Sequence, residues 1–226
     1  PVNTWISTAE AVLSNNLKII FCDINLDDYS ICLKDLKKKI NKKTKLIMPV
    51  HLYGNPSDVP KIKQIIKNKK IKIIEDCAQA HGAKIYKKHV GTFGDIGTFS
   101  FFPGKNIGAF GDGGALVTNS KKIYEYAIRA RNHGAMLKYD HKFSGRNSRL
   151  DCIQAAVLNV KLKSYSSVIY KRNRLAKIYL KMLSKIKEVE VYKLKKNNTY
   201  VFHQFVIKTK KRDKLRKFLK KSQIDT

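Results

Sequence analysis

Helical patterns and short, unbroken apolar runs alternate through the first half of this chain, and that alternation narrows the folds open to it. Helices are predicted near Trp5–Ser14, Leu33–Ile40 and Val59–Lys67, each followed by a strand pattern, at Lys18–Cys22, Lys45–Val50 and Ile71–Ile74. Ser7 and Glu10 have the spacing of a capping box for the first helix. The strand patterns are apolar throughout rather than at every second position, as expected when helices cover both faces of a sheet. Strand and helix in turn imply crossover connections and a parallel sheet. Strands are also predicted at Gly97–Phe102 and Ala115–Thr118, joined by a link too short for a helical crossover, so the sheet becomes mixed there. Helices follow at Lys121–Arg131, Leu150–Lys163 and Ser166–Ile186, then strands near Val189–Tyr192 and Tyr200–Ile207 and a helix at Lys211–Lys221. The expected class is α/β: a mostly parallel mixed sheet flanked by helices over residues 1–165, then a linker helix and the start of a smaller α+β domain over 166–226.

Sheets of this kind gather ligands at the carboxyl ends of their strands. Two segments place chemistry there. The run Ser-Phe-Phe-Pro-Gly-Lys-Asn-Ile-Gly-Ala-Phe-Gly-Asp-Gly-Gly, Ser100 to Gly114, sets Lys105 in a glycine-flanked turn directly after an apolar strand. A solvent lysine needs no such frame. A lysine that holds a carbonyl carbon as a Schiff base does, because its amine must be aimed and readily deprotonated. Upstream, Ile-Ile-Glu-Asp-Cys-Ala-Gln-Ala-His-Gly, Ile73 to Gly82, ends a strand on Asp76. An aspartate there also suits a plain helix cap. An acid facing a Schiff-base lysine, however, is what pyridoxal phosphate (PLP) requires, since a carboxylate keeps the pyridine nitrogen protonated.

These two segments, with Pro1-Val-Asn-Thr-Trp-Ile-Ser-Thr-Ala-Glu-Ala, Pro49-Val-His-Leu-Tyr-Gly, Arg131-Asn-His-Gly and Gly145-Arg-Asn-Ser-Arg-Leu-Asp, resemble in order the DegT/DnrJ/EryC1/StrS family of sugar aminotransferases. The resemblance runs from residue 1 to about 165 and implies the PLP-transferase fold type I. It implies PLP bound as a Schiff base on Lys105, with Asp76 on the pyridine nitrogen and Gln79 near the phenolic oxygen. By the same resemblance Ser100 binds the cofactor phosphate and Trp5 stacks on the pyridine ring. Asn147 would reach the phosphate in a neighbouring subunit, making a homodimer a functional requirement. Arg149 is a candidate clamp for a carboxylate or phosphate, and Tyr139, His141 and His133 are candidate substrate contacts. The bland readings are a core tryptophan at Trp5, a strand end at Ser100 and a polar loop capping a helix at Asn147 and Arg149. His81 receives no role, and His51 and His203 are read as structural.

The implied reaction moves an amino group, with L-glutamate as donor, to a nucleotide-linked keto-sugar, in amino-sugar biosynthesis for surface polysaccharide or glycoconjugate. Members of the family that act as sugar dehydratases carry histidine where this chain has Lys105. Against family members both ends look cut, so a fragment of a longer enzyme is expected, lacking part of the phosphate site.

Composition sets the alternatives. The net charge of +30 keeps open a non-catalytic basic binding or regulatory protein on this fold. Lysine, however, fills solvent positions on most predicted helices, whereas a nucleic-acid surface concentrates charge on one element among aromatics. Nucleic-acid binding is therefore not expected; a positive field would instead attract a nucleotide diphosphate. The four cysteines have neither pairing nor metal-ligand spacing, so no metal and a cytoplasmic location are expected. No run suits a membrane span. No G-x-x-x-x-G-K-[ST] loop supports nucleotide hydrolysis.

Overall fold

The computed structural model describes residues 1–66 and 70–226. Helix α1 (Ile6–Leu13) opens the chain, followed by α2 (Leu33–Lys39), strand β1 (Leu46–Ile47), α3 (Val59–Ile65) and β2 (Lys72–Asp76). A small hairpin, β3 (Lys84–Ile85) and β4 (Lys88–His89), leads to β5 (Ile96–Ser100) and β6 (Gly114–Val117). Helices α4 (Lys121–Ala130) and α5 (Cys152–Leu183) come next, then β7 (Glu190–Val191), β8 (Asn198–Thr199), β9 (Ile207–Lys208) and α6 (Arg212–Lys221).

The main sheet has the order β1-β2-β5-β6. β1, β2 and β5 run parallel and β6 pairs antiparallel with β5, the mixed arrangement expected from the short link. Parallel pairing puts the ends of β2 and β5 on one edge, with Asp76 opposite Thr98. Beyond β1, the Asp76 N–H donates to the Pro49 carbonyl and the His51 N–H to the Asp76 carbonyl, both at 2.9 Å. The backbone that carries Asp76 is therefore held from both sides.

Isoleucines do most of the packing beneath this edge. Ile47, Ile73, Val59 and Ile62 join Leu36 and Ile31 in one core, between β1, β2 and the helices α2 and α3. Cys77, Ala80, Val90 and Val201 form a second core, and Ile107, Ala109, Leu158 and Tyr165 a third below the lysine turn. Ala176, Tyr192, Tyr200 and Phe202 close a fourth around the end of α5.

Three expectations need correction. Lys18–Cys22 is extended but pairs with no strand among the described residues. A cleft of about 490 Å³, lined by Leu17, Ile20, Phe21, Ile47 and Met48, separates it from β1 and leaves Ile20 and Phe21 exposed. The helices expected at Leu150–Lys163 and Ser166–Ile186 are one, α5, because Ser164-Tyr165-Ser166 contains no breaker and Tyr165 is buried in the third core. The Ser7–Glu10 capping box does not form: the helix begins at Ile6 with Trp5 as N-cap and no side-chain cap. Smaller departures are an irregular stretch over 200–206, between β8 and β9, where a strand over Tyr200–Ile207 was expected, and a β6 exposed at every residue. The expected end of the third helix at Lys67 lies outside the described residues.

Candidate functional site

Asp76 ends β2, and its carboxylate is held on both oxygens. The Thr8 hydroxyl of α1 donates to Oδ2 at 2.9 Å, and the Ala78 N–H donates to Oδ1 at 3.0 Å. Thr8 is itself 2.8 Å from the hydroxyl of Thr4, which lies just ahead of the helix, so Thr4 backs the donor that Thr8 aims at the acid. Each carboxylate oxygen has two lone pairs, which leaves room for a third donor from a ligand.

Lys105 sits in the turn after β5, where its N–H donates to the Phe102 carbonyl at 2.9 Å. Gly108 allows the turn to fold back: a Cβ there would stand 2.2 Å from the Pro103 carbonyl oxygen. The Lys105 amine is half-buried. That burial lowers its pKa, and the Asp76 carboxylate partly opposes the shift. A lowered amine pKa is the property a nucleophilic lysine needs.

Gln79 lies three residues past the Asp76 strand end. Its Oε1 accepts the Tyr53 N–H at 2.6 Å, where Tyr53 has a φ of +61°. The carbonyl oxygen is thereby occupied and the amide NH₂ remains for another acceptor. Ser100 ends β5, and its Oγ accepts the Phe102 N–H at 3.3 Å, which leaves its O–H free to donate. Asp76, Gln79, Ser100 and Lys105 thus share the carboxyl edge of β2 and β5.

The other expected residues are solvent-exposed and make no hydrogen bond to these four side chains among the described residues. Trp5 caps α1 and is 74% exposed. Asn147 and Arg149 are exposed, with Arg149 Nε donating to Asn147 Oδ1 at 3.1 Å. His133 and His141 meet each other: the His141 Nδ1 donates to the His133 carbonyl at 2.8 Å. Tyr139 is 82% exposed, with the Lys138 ammonium 5.0 Å from its ring centroid. This loop folds on itself through Asn132↔Asn147 and Ala135↔His141 bridges.

Three contacts escaped the sequence reading. Thr8 belonged to an ordinary helix pattern. His51 and Glu75 form a buried pair, Nε2 to Oε2 at 3.0 Å. Asn106 Oδ1 and His203 Nδ1 meet at 3.1 Å. Only the positions beside Asp76 and Lys105 offered a signal, in Glu75 and Asn106.

The profile of the DegT/DnrJ/EryC1/StrS aminotransferase family matches residues 1–226. The chain belongs to that family. It is 40% identical over 213 residues to a UDP-N-acetyl-3-dehydro-alpha-D-glucosamine 3-aminotransferase of Acidithiobacillus ferrooxidans, covering 94% of this chain and 58% of that relative. It is equally 40% identical over 225 residues to a pleiotropic regulatory protein of Geobacillus stearothermophilus, covering 99% of this chain and 60% of that one. Among solved structures, DesV of S. venezuelae in complex with a ketimine intermediate superposes with a TM-score of 0.96 at 36% identity, over all of this chain and 61% of DesV. The chain therefore spans about three-fifths of the length of these relatives.

Proposed function

We propose that this chain carries the cofactor-binding part of a PLP-dependent aminotransferase acting on a nucleotide-linked keto-sugar, with L-glutamate as amino donor. The observation that carries it is the pairing, on one sheet edge, of a firmly held Asp76 carboxylate with a half-buried Lys105 amine. Family membership and the similarity to a UDP-sugar aminotransferase support the reaction class and the substrate class.

The residues present fit the cofactor group by group. Asp76 has acceptor capacity left for a ring N–H, Gln79 has its NH₂ left for a phenolate oxygen, and Ser100 has its O–H left for a phosphate. Bound there, PLP would act as an electron sink for the carbon that loses its proton. Lys105 would bind the cofactor carbonyl and, once displaced, carry a proton on Nζ as base and then acid. Asp76 would keep the ring nitrogen protonated. Trp5, Asn147, Arg149, Tyr139, His133 and His141 are all solvent-exposed within one chain. For Asn147 that placement fits a reach into a partner's site, so the working assembly is a homodimer.

We further assign residues 1–165 to the cofactor domain and 166–226 to the linker and the start of the smaller domain. We assign the product to polysaccharide or glycoconjugate synthesis in the cytoplasm. No helix among the described residues is long and apolar enough to cross a membrane. The test is a visible spectrum of the protein with PLP, before and after L-glutamate, beside Lys105→Ala. A visible band that bleaches with glutamate and is missing in the variant supports the reading; no band in the wild type overturns it. The regulatory relative favours one second reading, a binding protein on this fold. Salt-sensitive DNA retention without a cofactor band would support that reading instead.

A further inference from the structure

The residue after Lys105 is fastened to a part of the chain almost a hundred positions away. Asn106 Nδ2 donates to the Val201 carbonyl at 3.1 Å. That bond fixes the orientation of the amide, so Asn106 Oδ1 is the atom facing His203 Nδ1 at 3.1 Å. An amide oxygen can only accept, so His203 carries its ring proton on Nδ1 and keeps a lone pair on Nε2. The segment it sits on is pinned from α5. Arg172 Nη1 donates to the Phe202 carbonyl at 2.9 Å, and Asn173 Nδ2 to the Tyr200 carbonyl at 2.8 Å.

A second imidazole backs the same turn. His81 is 4% exposed and lies between the rings of Phe99 and Phe101, at centroid distances of 5.5 and 5.8 Å. The Tyr165 hydroxyl donates to its carbonyl at 2.7 Å. Neither ring nitrogen makes a formed hydrogen bond among the described residues, although the Ser100 backbone is near enough to raise its pKa somewhat. Burial, with smaller contributions from the Lys105 charge and other nearby positive groups, takes both His81 and His203 down to about 4. Both rings are neutral at physiological pH, so neither adds a cation beside the lysine.

We propose that Asn106 and His203 are positioning residues for Lys105, a neutral brace that ties the lysine turn to Val201–His203 and holds the amine in its half-buried place. The proposal rests on Lys105 being the reactive amine of the reading above. Because burial lowers the pKa of Lys105, a slack turn would let the amine reach water and recover a higher pKa, with less free base near neutrality.

The test needs no cofactor. Competitive amine labelling of the cofactor-free protein across a range of pH, with the Lys105 peptide read by mass spectrometry, reports the basicity and access of that one amine. In the wild type, Lys105 should titrate below the exposed lysines. Asn106→Ala and His203→Ala should move its midpoint upward and slow its labelling at pH 8 by about threefold or more, the effect of roughly half a pKa unit. His203→Asn keeps a donor near the Nδ1 position and should restore most of the wild-type profile. Folded variants are selected by circular dichroism. A Lys105 midpoint unchanged in folded Asn106→Ala, or a His203→Asn no better than His203→Ala, would overturn the brace. A normal labelling profile with no PLP band at all would instead count against the cofactor reading alone.

Discussion

Glu75→Gln is expected to destabilise the protein by about 3 kcal/mol, although it changes one atom. The Glu75 side chain is wholly buried and accepts four hydrogen bonds. Oε1 takes the Phe93 N–H at 2.7 Å and the Gly94 N–H at 2.6 Å; Oε2 takes the Gly91 N–H at 2.8 Å and His51 Nε2 at 3.0 Å. His51 cannot reverse its role, because its Nδ1 accepts the Ser57 N–H at 2.9 Å. A glutamine oxygen can keep two of the four donors, but its NH₂ then points at the other two. Each buried donor left without an acceptor costs about 1–3 kcal/mol, less whatever is recovered by no longer burying a charge. The net agrees with the low end of the ~3–5 kcal/mol seen when one partner of a buried pair is removed. In a chain of 226 residues each kcal/mol lowers Tm by about 2–4 °C, so a fall of roughly 6–12 °C is expected. Urea unfolding followed by far-UV circular dichroism measures the loss as a lower midpoint at unchanged slope. His51→Ala and the double variant complete the cycle, and the coupling should exceed about 1 kcal/mol. A loss below about 1 kcal/mol for Glu75→Gln would refute the reasoning, since it would mean the amides have other acceptors. Burial alone would raise the Glu75 pKa, but the bonds from His51, Gly94 and Gly91 outweigh it and hold the carboxyl below its ordinary value. The stabilisation is thus present above the unfolded pKa and is lost as pH falls through the folded one.

Three other outcomes follow from the geometry. His81 drops from 6.5 to about 4 on folding, so the unfolded chain binds more protons between those values; about 3 kcal/mol at most is lost as pH falls from 6.5 to 4, and His81→Leu should remove that part of the slope in a pH series of unfolding curves. Thr8→Val deletes the hydroxyl donor to Asp76 and should weaken PLP binding about five- to tenfold, an effect of about 1 kcal/mol, with little change in Tm; unaltered affinity in a fluorescence titration would count against Thr8 orienting the acid. Gly108→Ala drives a Cβ to 2.2 Å from the Pro103 carbonyl oxygen and should cost at least about 2 kcal/mol, seen as a lower urea midpoint together with an upward shift in the Lys105 labelling profile.

The edge that holds Asp76 and Lys105 was legible because its signals are local. Short apolar strands end in a carboxylate or a glycine-flanked lysine, and the structure puts both where that pattern implies. What stayed hidden is long-range. Thr8 meets Asp76 across 68 positions, and His203 meets Asn106 across 97; no periodicity reports such pairs. His51 and Glu75, 24 positions apart, looked like a loop histidine and a strand glutamate until β1 and β2 paired. Lys18–Cys22 has the composition of a strand, but a strand also needs a partner edge, and a cleft stands between it and β1. The two helices expected at Leu150–Lys163 and Ser166–Ile186 run together because Tyr165 between them is packed with Ile107 and Ala109, a contact across more than fifty positions that local pattern does not report.

Helix α5 is 32 residues long, which at 1.5 Å per residue makes a rod of about 48 Å. Near one end Lys161 grips the Gly108 carbonyl and lies 5.0 Å from the centre of the Phe110 ring. Three turns later, Arg172 and Asn173 hold the Tyr200–His203 backbone. No glycine or proline interrupts the rod, so it has no built-in joint at which to bend. Any movement that opens or closes the lysine edge must pivot this beam as a whole. A twist applied near Tyr200 would then be carried along the helix to Gly108, a mechanical linkage from the Tyr200–His203 segment to the lysine turn.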